Sequence, residues 1–246
     1  MSTALNLRDV GGLPVNGGGV VRPRTLLRSG SLRGLSAADA QSLLTEWNLR
    51  TVVDLRTPAE LAADGPTRLA DAGIATAHLP LMADSAIALS RMQSDEDAVQ
   101  TLAEAYNSFV DHRGGHILTV ARMIAWSADG SLLVHCSAGK DRTGVTIAIL
   151  LDAIGVRRDA VIADYARTND VIDEVLDALA RSPRSSISLE AIPLAARRAQ
   201  PEALRSVLDR LDRDFGGGAG WLRAKGFEPA ESARLSRRLV VQAHAA

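Results

Sequence analysis

Two kinds of hydrophobic pattern alternate along this chain. Residues 25–30, 51–56, 74–81 and 131–134 are short apolar runs bounded by glycine or polar turns, and each predicts a strand, with 51–56 central to a sheet. Residues 6–12 predict a further short strand ending in glycines, and Asn16 to Gly19 a hairpin turn. Between the runs the apolar positions recur at helical spacing. Residues 37–47 form such a stretch behind Ser36, a good N-cap, and Pro58 opens a short helix. Val99, Leu102, Tyr106, Phe109 and Val110 share one face within 85–112, which reads as a helical insertion, either a lid or a core-packing helix. Residues 115–128 predict a second helix leading into 131–134. Val145 to Leu151 is apolar throughout and predicts a buried helix beginning near Arg142.

Further on, Val161, Ile162, Tyr165, Ile172, Val175, Leu176 and Leu179 trace one long amphipathic helix. After a polar break at 182–186, residues 201–215 and 229–241 predict two more helices, with a triple glycine closing the first and Trp221 and Leu222 docking between them. Strands joined by helices argue an α/β fold. The expectation is a single domain over 1–246, with a central, mostly parallel sheet flanked by helices on both faces.

Composition narrows the function less than the fold. The chain has 246 residues, 46% apolar and 23% charged, which is ordinary for a globular protein. A formal net charge of −1 offers no general attraction to nucleic acid or to an anionic membrane. No apolar run approaches the roughly twenty residues of a membrane span, and no signal-peptide pattern opens the chain, so the default location is the cytoplasm. The lone cysteine permits no internal disulfide.

That cysteine stands in the most informative stretch, His135-Cys136-Ser137-Ala138-Gly139-Lys140-Asp141-Arg142-Thr143-Gly144. A strand, a tight loop of small residues and a helix N-terminus converge several N–H groups and a helix dipole on one point, which makes an anion site. Such a site favours a thiolate, so Cys136 is a candidate nucleophile toward phosphorus. Arg142 supplies a planar fork for two phosphoryl oxygens, and the amides of Ser137 to Asp141 take the remaining oxygens. Thr143 is suited to donating a hydroxyl hydrogen bond to the sulfur, and His135 to orienting the loop. A nucleotide-binding GxxxxGK[ST] loop is excluded, because Val134 and Asp141 stand where Gly and Ser or Thr are needed.

These residues resemble the HCxxGxxR loop of the cysteine-dependent protein-tyrosine and dual-specificity phosphatases. The GKDR ending is similar to a narrower group, the bacterial tyrosine/serine phosphatases that include a secreted mycobacterial enzyme. Asn6-Leu7-Arg8-Asp9-Val10-Gly11-Gly12, the RSGSL string from Arg28, the VVDLR string from Val52 and Asp164-Tyr165-Ala166-Arg167-Thr168-Asn169 extend the likeness almost end to end.

The resemblance implies a protein-tyrosine-phosphatase-like fold and hydrolysis of phosphomonoesters through phosphocysteine. The substrate is then a phosphotyrosine protein, with phosphoserine or phosphothreonine as further substrates. A phosphoinositide is the alternative, favoured by Lys140 in the loop, and a binding-only phosphate module is a third reading. The resemblance also implies two candidate general acids. Asp141 takes the role in the GKDR group; Asp84 lies where the wider superfamily carries its acid on a separate loop. Arg8 and Asp9 read as structural pairing residues. Arg22, Arg24, Arg28 and Arg33 either raise the potential near the site or form a solvated edge, and Arg184, Arg197 and Arg198 either contact a charged substrate or form a solvated surface. No metal or cofactor is expected, since the arginine and dipoles neutralise the phosphoryl charge. Relatives of the mycobacterial type leave the cell without an obvious signal peptide, so secretion is compatible with this chain.

Overall fold

A computed structural model describes residues 4–64, 69–82, 97–181 and 193–242. Asp84, Arg184 and the first part of the 85–112 stretch lie outside them. Five strands form the main sheet: β1 (Arg8–Asp9), β3 (Leu26–Ser29), β4 (Leu49–Asp54), β5 (Ala75–His78) and β6 (Ser131–His135). Their order is β1-β3-β6-β4-β5. All neighbours are parallel except β1, which runs antiparallel to β3. Parallel strands need crossovers, and the helices supply them.

Alternation along the strands divides the interior in two. Leu26, Val53, Leu132 and Val134 belong to one apolar cluster, and Leu27, Val52 and Leu133 to another. The first and larger layer is covered by α3 (Ala98–Trp126), α4 (Asp141–Ala153), α5 (Arg158–Ala166), α8 (Pro201–Phe215), α9 (Gly218–Ala224) and α10 (Pro229–Leu239). The second is closed chiefly by α1 (Ala37–Glu46). Ser36 caps α1 as its sequence suggests: its hydroxyl accepts from the Asp39 N–H while the Asp39 carboxylate accepts from the Ser36 N–H. Two short helices, α2 (Pro58–Asp64) and α7 (Leu194–Arg197), lie among the segments that border the catalytic loop, and α6 (Ile172–Ala180) follows α5. No helix of the described residues is long and apolar enough to cross a membrane.

Three expectations are corrected. The separate helices expected within 85–112 and at 115–128 are, from residue 98 onward, one continuous helix, α3. Gly114 does not break it; a Cβ there would stand 2.7 Å from the Trp221 ring, so the glycine gives room for α9 to dock. Leu102, Tyr106, Phe109 and Val110 are all buried, so this part of the stretch packs the core. The long helix expected over 161–179 is interrupted by a 3-10 turn, Arg167–Asp170. Tertiary bonds claim that turn: Arg8 donates to the Thr168 hydroxyl, and the Asn169 amide pairs with both backbone groups of Ala199. Finally, the last helix stops at Leu239, and β7 (Val240–Val241) pairs antiparallel with β2 (Val20–Val21). Arg22 reinforces that junction by donating to the carbonyls of Arg238 and Val240.

Candidate active site

The loop from Cys136 to Lys140 leaves the carboxyl end of β6, the strand at the centre of the sheet and buried at every position, and runs directly into α4. Open parallel sheets place ligands at this edge. The loop's carbonyls are tied outward from several sides. Asn6 donates from its amide to the oxygens of Ala138 (3.0 Å) and Gly139 (3.2 Å), Arg28 donates to Gly139 O (2.8 Å), and the Ser31 N–H donates to Ser137 O (2.8 Å). Among the described residues, no backbone N–H of Ser137 to Lys140 is spent on a protein acceptor. An array of unspent amides at a helix N-terminus suits an oxyanion.

Cys136 is buried. Arg142 is held by Glu60 of α2 through two bonds, Nη1 to Oε2 at 2.6 Å and Nη2 to Oε1 at 2.8 Å. The Ser137 hydroxyl donates to the same carboxylate at 2.6 Å. Burial works to raise the Glu60 pKa, but the hydrogen bonds and charge of Arg142, with those from Ser137 and the Thr57 N–H, hold it well below the usual carboxylate range. The partner of Arg142 stands far away in the chain, where the sequence reading saw only a short helix.

The His135 Nδ1 lies 3.3 Å from the Cys136 carbonyl oxygen. Burial lowers its pKa to about 4 against the opposing charge of Asp54, whose carboxylate is 3.7 Å from Nε2. The ring is therefore neutral near pH 7. Asp54 is itself claimed by Arg56 in a buried pair at 2.6 Å. The Thr143 hydroxyl is buried and meets no partner among the described residues.

Lys140 departs from its expected role. Its side chain is buried, and its ammonium donates to the carbonyls of Ala196 (2.5 Å), Arg197 (3.1 Å) and Arg198 (3.3 Å) at the end of α7. It buckles that segment to the loop, and a helix carboxyl end is a favourable place for a cation. Asp141, first residue of α4, keeps about a third of its side chain exposed (32%) and lies 3.5 Å from the Lys140 ammonium.

The arginines near the N-terminus divide. Arg28 is fully buried beside the loop, and with Arg8 it shares Asp164, at 2.6 Å and 3.0 Å. Arg8 and Arg28 are thus pairing residues, Arg33 reaches Asp64, Arg22 serves the C-terminal carbonyls, and Arg198 pairs with Asp173. Asp9 holds the Gly11 and Arg24 N–H groups. The strings at 6–12, 28–32 and 164–169 meet around the catalytic loop, so their signal was present in the sequence although their joint role was not. Among the described residues no cluster of His, Cys, Asp or Glu could hold a metal ion.

The model of the tyrosine phosphatase family matches residues 1–241. The triple specificity protein phosphatase PtpB of Mycobacterium tuberculosis is 29% identical over 268 residues, covering 94% of this chain and 95% of its own. A tyrosine-protein phosphatase of Nostoc commune is 29% identical, covering 87% of this chain and 73% of its own. Among solved structures, TpbA of P. aeruginosa with phosphotyrosine matches with a TM-score of 0.33 at 19% identity, over 66% of this chain and 81% of that one, a likeness too low to carry an argument. A family match over nearly the whole length includes the loop from Cys136 to Arg142 and the strings that brace it: the chain belongs to the tyrosine phosphatase family.

Proposed function

We propose that residues 1–246 act as one phosphatase domain that hydrolyses phosphotyrosine, and also phosphoserine and phosphothreonine, through a phosphocysteine intermediate. The observation that carries the reading is the loop itself: a single buried cysteine among unspent amides, with Arg142 held in a two-point clamp. The Cys136 sulfur attacks phosphorus and the bond to the leaving oxygen breaks as Asp141 gives that oxygen a proton. Arg142 and the amides of Ser137 to Asp141 stabilise the equatorial oxygens throughout. Water then attacks phosphocysteine, passing a proton to Asp141, and the thiolate leaves with the Thr143 hydroxyl as its donor. Inorganic phosphate is the product.

The relative named for triple specificity supports a range wider than phosphotyrosine. The phosphoinositide alternative rests on the resemblance to the GKDR group, which includes lipid-active members, and on Lys140, whose ammonium here serves the α7 carbonyls. Cys136→Ser is expected to abolish turnover of a phosphotyrosine peptide while the peptide still binds; retained turnover would overturn the mechanism. A panel of phosphotyrosine, phosphoserine and phosphothreonine peptides beside phosphoinositide vesicles reads the substrate class. Preference for the vesicles would replace the protein-phosphatase reading with the lipid one.

A further inference from the structure

A chain of three hydroxyl and amide donors ends on the carboxylate of Asp141. The Gln200 N–H donates to the Tyr165 hydroxyl at 3.2 Å, the hydroxyls of Tyr165 and Tyr106 are 2.7 Å apart, and Tyr106 donates to Asp141 Oδ1 at 2.5 Å. The direction follows from counting protons. Each phenol has one to give. Tyr106 spends its one proton on the carboxylate, so Tyr165 is the donor between the two phenols, and its oxygen accepts from the Gln200 N–H. Both phenols are buried and fixed by packing, with ring planes at 84° and centroids 6.5 Å apart. A Cβ on Gly144 would stand 2.8 Å from the Tyr165 ring, so the surface of α4 is cleared for it. Burial first, then the charge of Asp141, raises both phenol pKa values, so the chain stays a chain of donors across the working range.

We infer that Tyr106 is a positioning residue for proton transfer: it fixes Oδ1 of Asp141, with Tyr165 behind it, and thereby turns the other carboxyl oxygen toward the leaving group. The inference rests on the reading of Asp141 as the general acid. An acid at the head of a helix, with much of its side chain exposed, has rotamers to lose; one short bond to a rigid phenol removes them before substrate arrives. The groups facing Asp141 are then Tyr106 from α3, Tyr165 behind it from α5 and Lys140 from the loop, at hydrogen-bonding or ion-pair range. Nothing in this arrangement touches phosphorus; it acts only through the proton that Asp141 gives to the leaving oxygen.

The test compares full-length wild type, Tyr106→Phe, Tyr165→Phe, Asp141→Asn and the double variant Tyr106→Phe/Asp141→Asn on aryl phosphates whose leaving phenols range from unactivated to strongly activated. Tyr106→Phe is expected to lower kcat/KM, which reads the steps up to loss of the leaving group, about tenfold or more on the unactivated ester, with the activated ester spared. Tyr165→Phe should move kcat/KM the same way by less, and the double variant should be no slower than Asp141→Asn alone. An equal loss on every ester would mean a structural role only, and no loss would mean that Tyr106 does not position the acid; either overturns the inference. The activated ester also reports folding, since a misfolded variant loses that activity too. If Asp141→Asn itself shows no leaving-group dependence, the general-acid reading fails and the inference with it. A steep dependence in Asp141→Asn but not in Tyr106→Phe sinks the inference alone.

Discussion

Glu60 is the side chain that holds Arg142 in place. Its carboxylate meets Arg142 at two points and Ser137 at a third, and it closes a local box in which the Thr57 N–H donates to it and its own N–H donates to the Thr57 hydroxyl. Glu60 is therefore fixed at both ends, and a fixed acceptor makes a fixed guanidinium. Glu60→Gln keeps the shape but loses the charge and one acceptor oxygen. It is expected to lower kcat about 10²-fold, on activated and unactivated esters alike, because the guanidinium serves every substrate equally. Steady-state kinetics on both esters checks it; an unchanged kcat would show that Arg142 keeps its place unaided. Lys140 shows the opposite lesson. A lysine in a phosphate loop invites a substrate contact, yet three carbonyl oxygens at the end of a short helix take its charge instead.

At the scale of elements, the catalytic loop is a turn that only particular neighbours permit. Gly139 has φ +68°, and a Cβ there would lie 2.4 Å from the Ser29 oxygen at the end of β3. β3 and β6 are adjacent and parallel, with Ser29 opposite His135, so their exits are forced together. Gly139→Ala therefore adds both backbone strain and a collision with main chain that has no freedom to withdraw. A loss of about 1–3 kcal/mol in unfolding free energy is expected, together with loss of turnover as the loop amides diverge. Chemical denaturation and an aryl-phosphate assay measure the two; normal stability with normal turnover would contradict this account of the loop.

At the scale of the molecule, the buried ionisable groups that hold the site also set its response to pH. His135 is buried neutral with its pKa lowered from 6.5 to about 4. Between those values the unfolded chain binds the extra proton and the folded one does not. Stability thus rises with pH across that window and is lost as pH falls from 6.5 to about 4, by about 3 kcal/mol. Glu60 and Asp54 are held below their ordinary values, with burial opposing the shift and their arginine partners overcoming it. Their contribution is present above the ordinary carboxylate range and disappears only below it, as they take up protons. Unfolding free energy measured against pH should therefore fall in two stages, and His135→Asn should remove the upper one. A flat profile above the carboxylate range in the wild type would contradict the buried neutral ring.

Much of the fold and the centre of the site were legible because their determinants are contiguous. Cys136, the small loop residues, Arg142 and the apolar face of α4 follow one another directly, so local spacing carries strand, turn and helix together. Ser36 before α1, and Pro201 and Gly216 around α8, are local cap signals of the same sort, and the structure follows them. The bracing of the loop was not legible in this way. Asn6, Arg28, Glu60, Tyr106 and Asp164 come from five separate parts of the chain, and only the strand order β1-β3-β6-β4-β5 with its helical crossovers brings them to one edge. Helical periodicity likewise could not show that Thr168 and Asn169 would leave the helix for distant partners, or that Gly114 would pass a helix under Trp221. The nucleophile and its helix are set by neighbours in sequence, where short-range sterics and dipoles act. The clamp on the arginine and the chain of donors behind Asp141 are set by neighbours in space, where buried polar groups must find partners that only the packed sheet and helices provide.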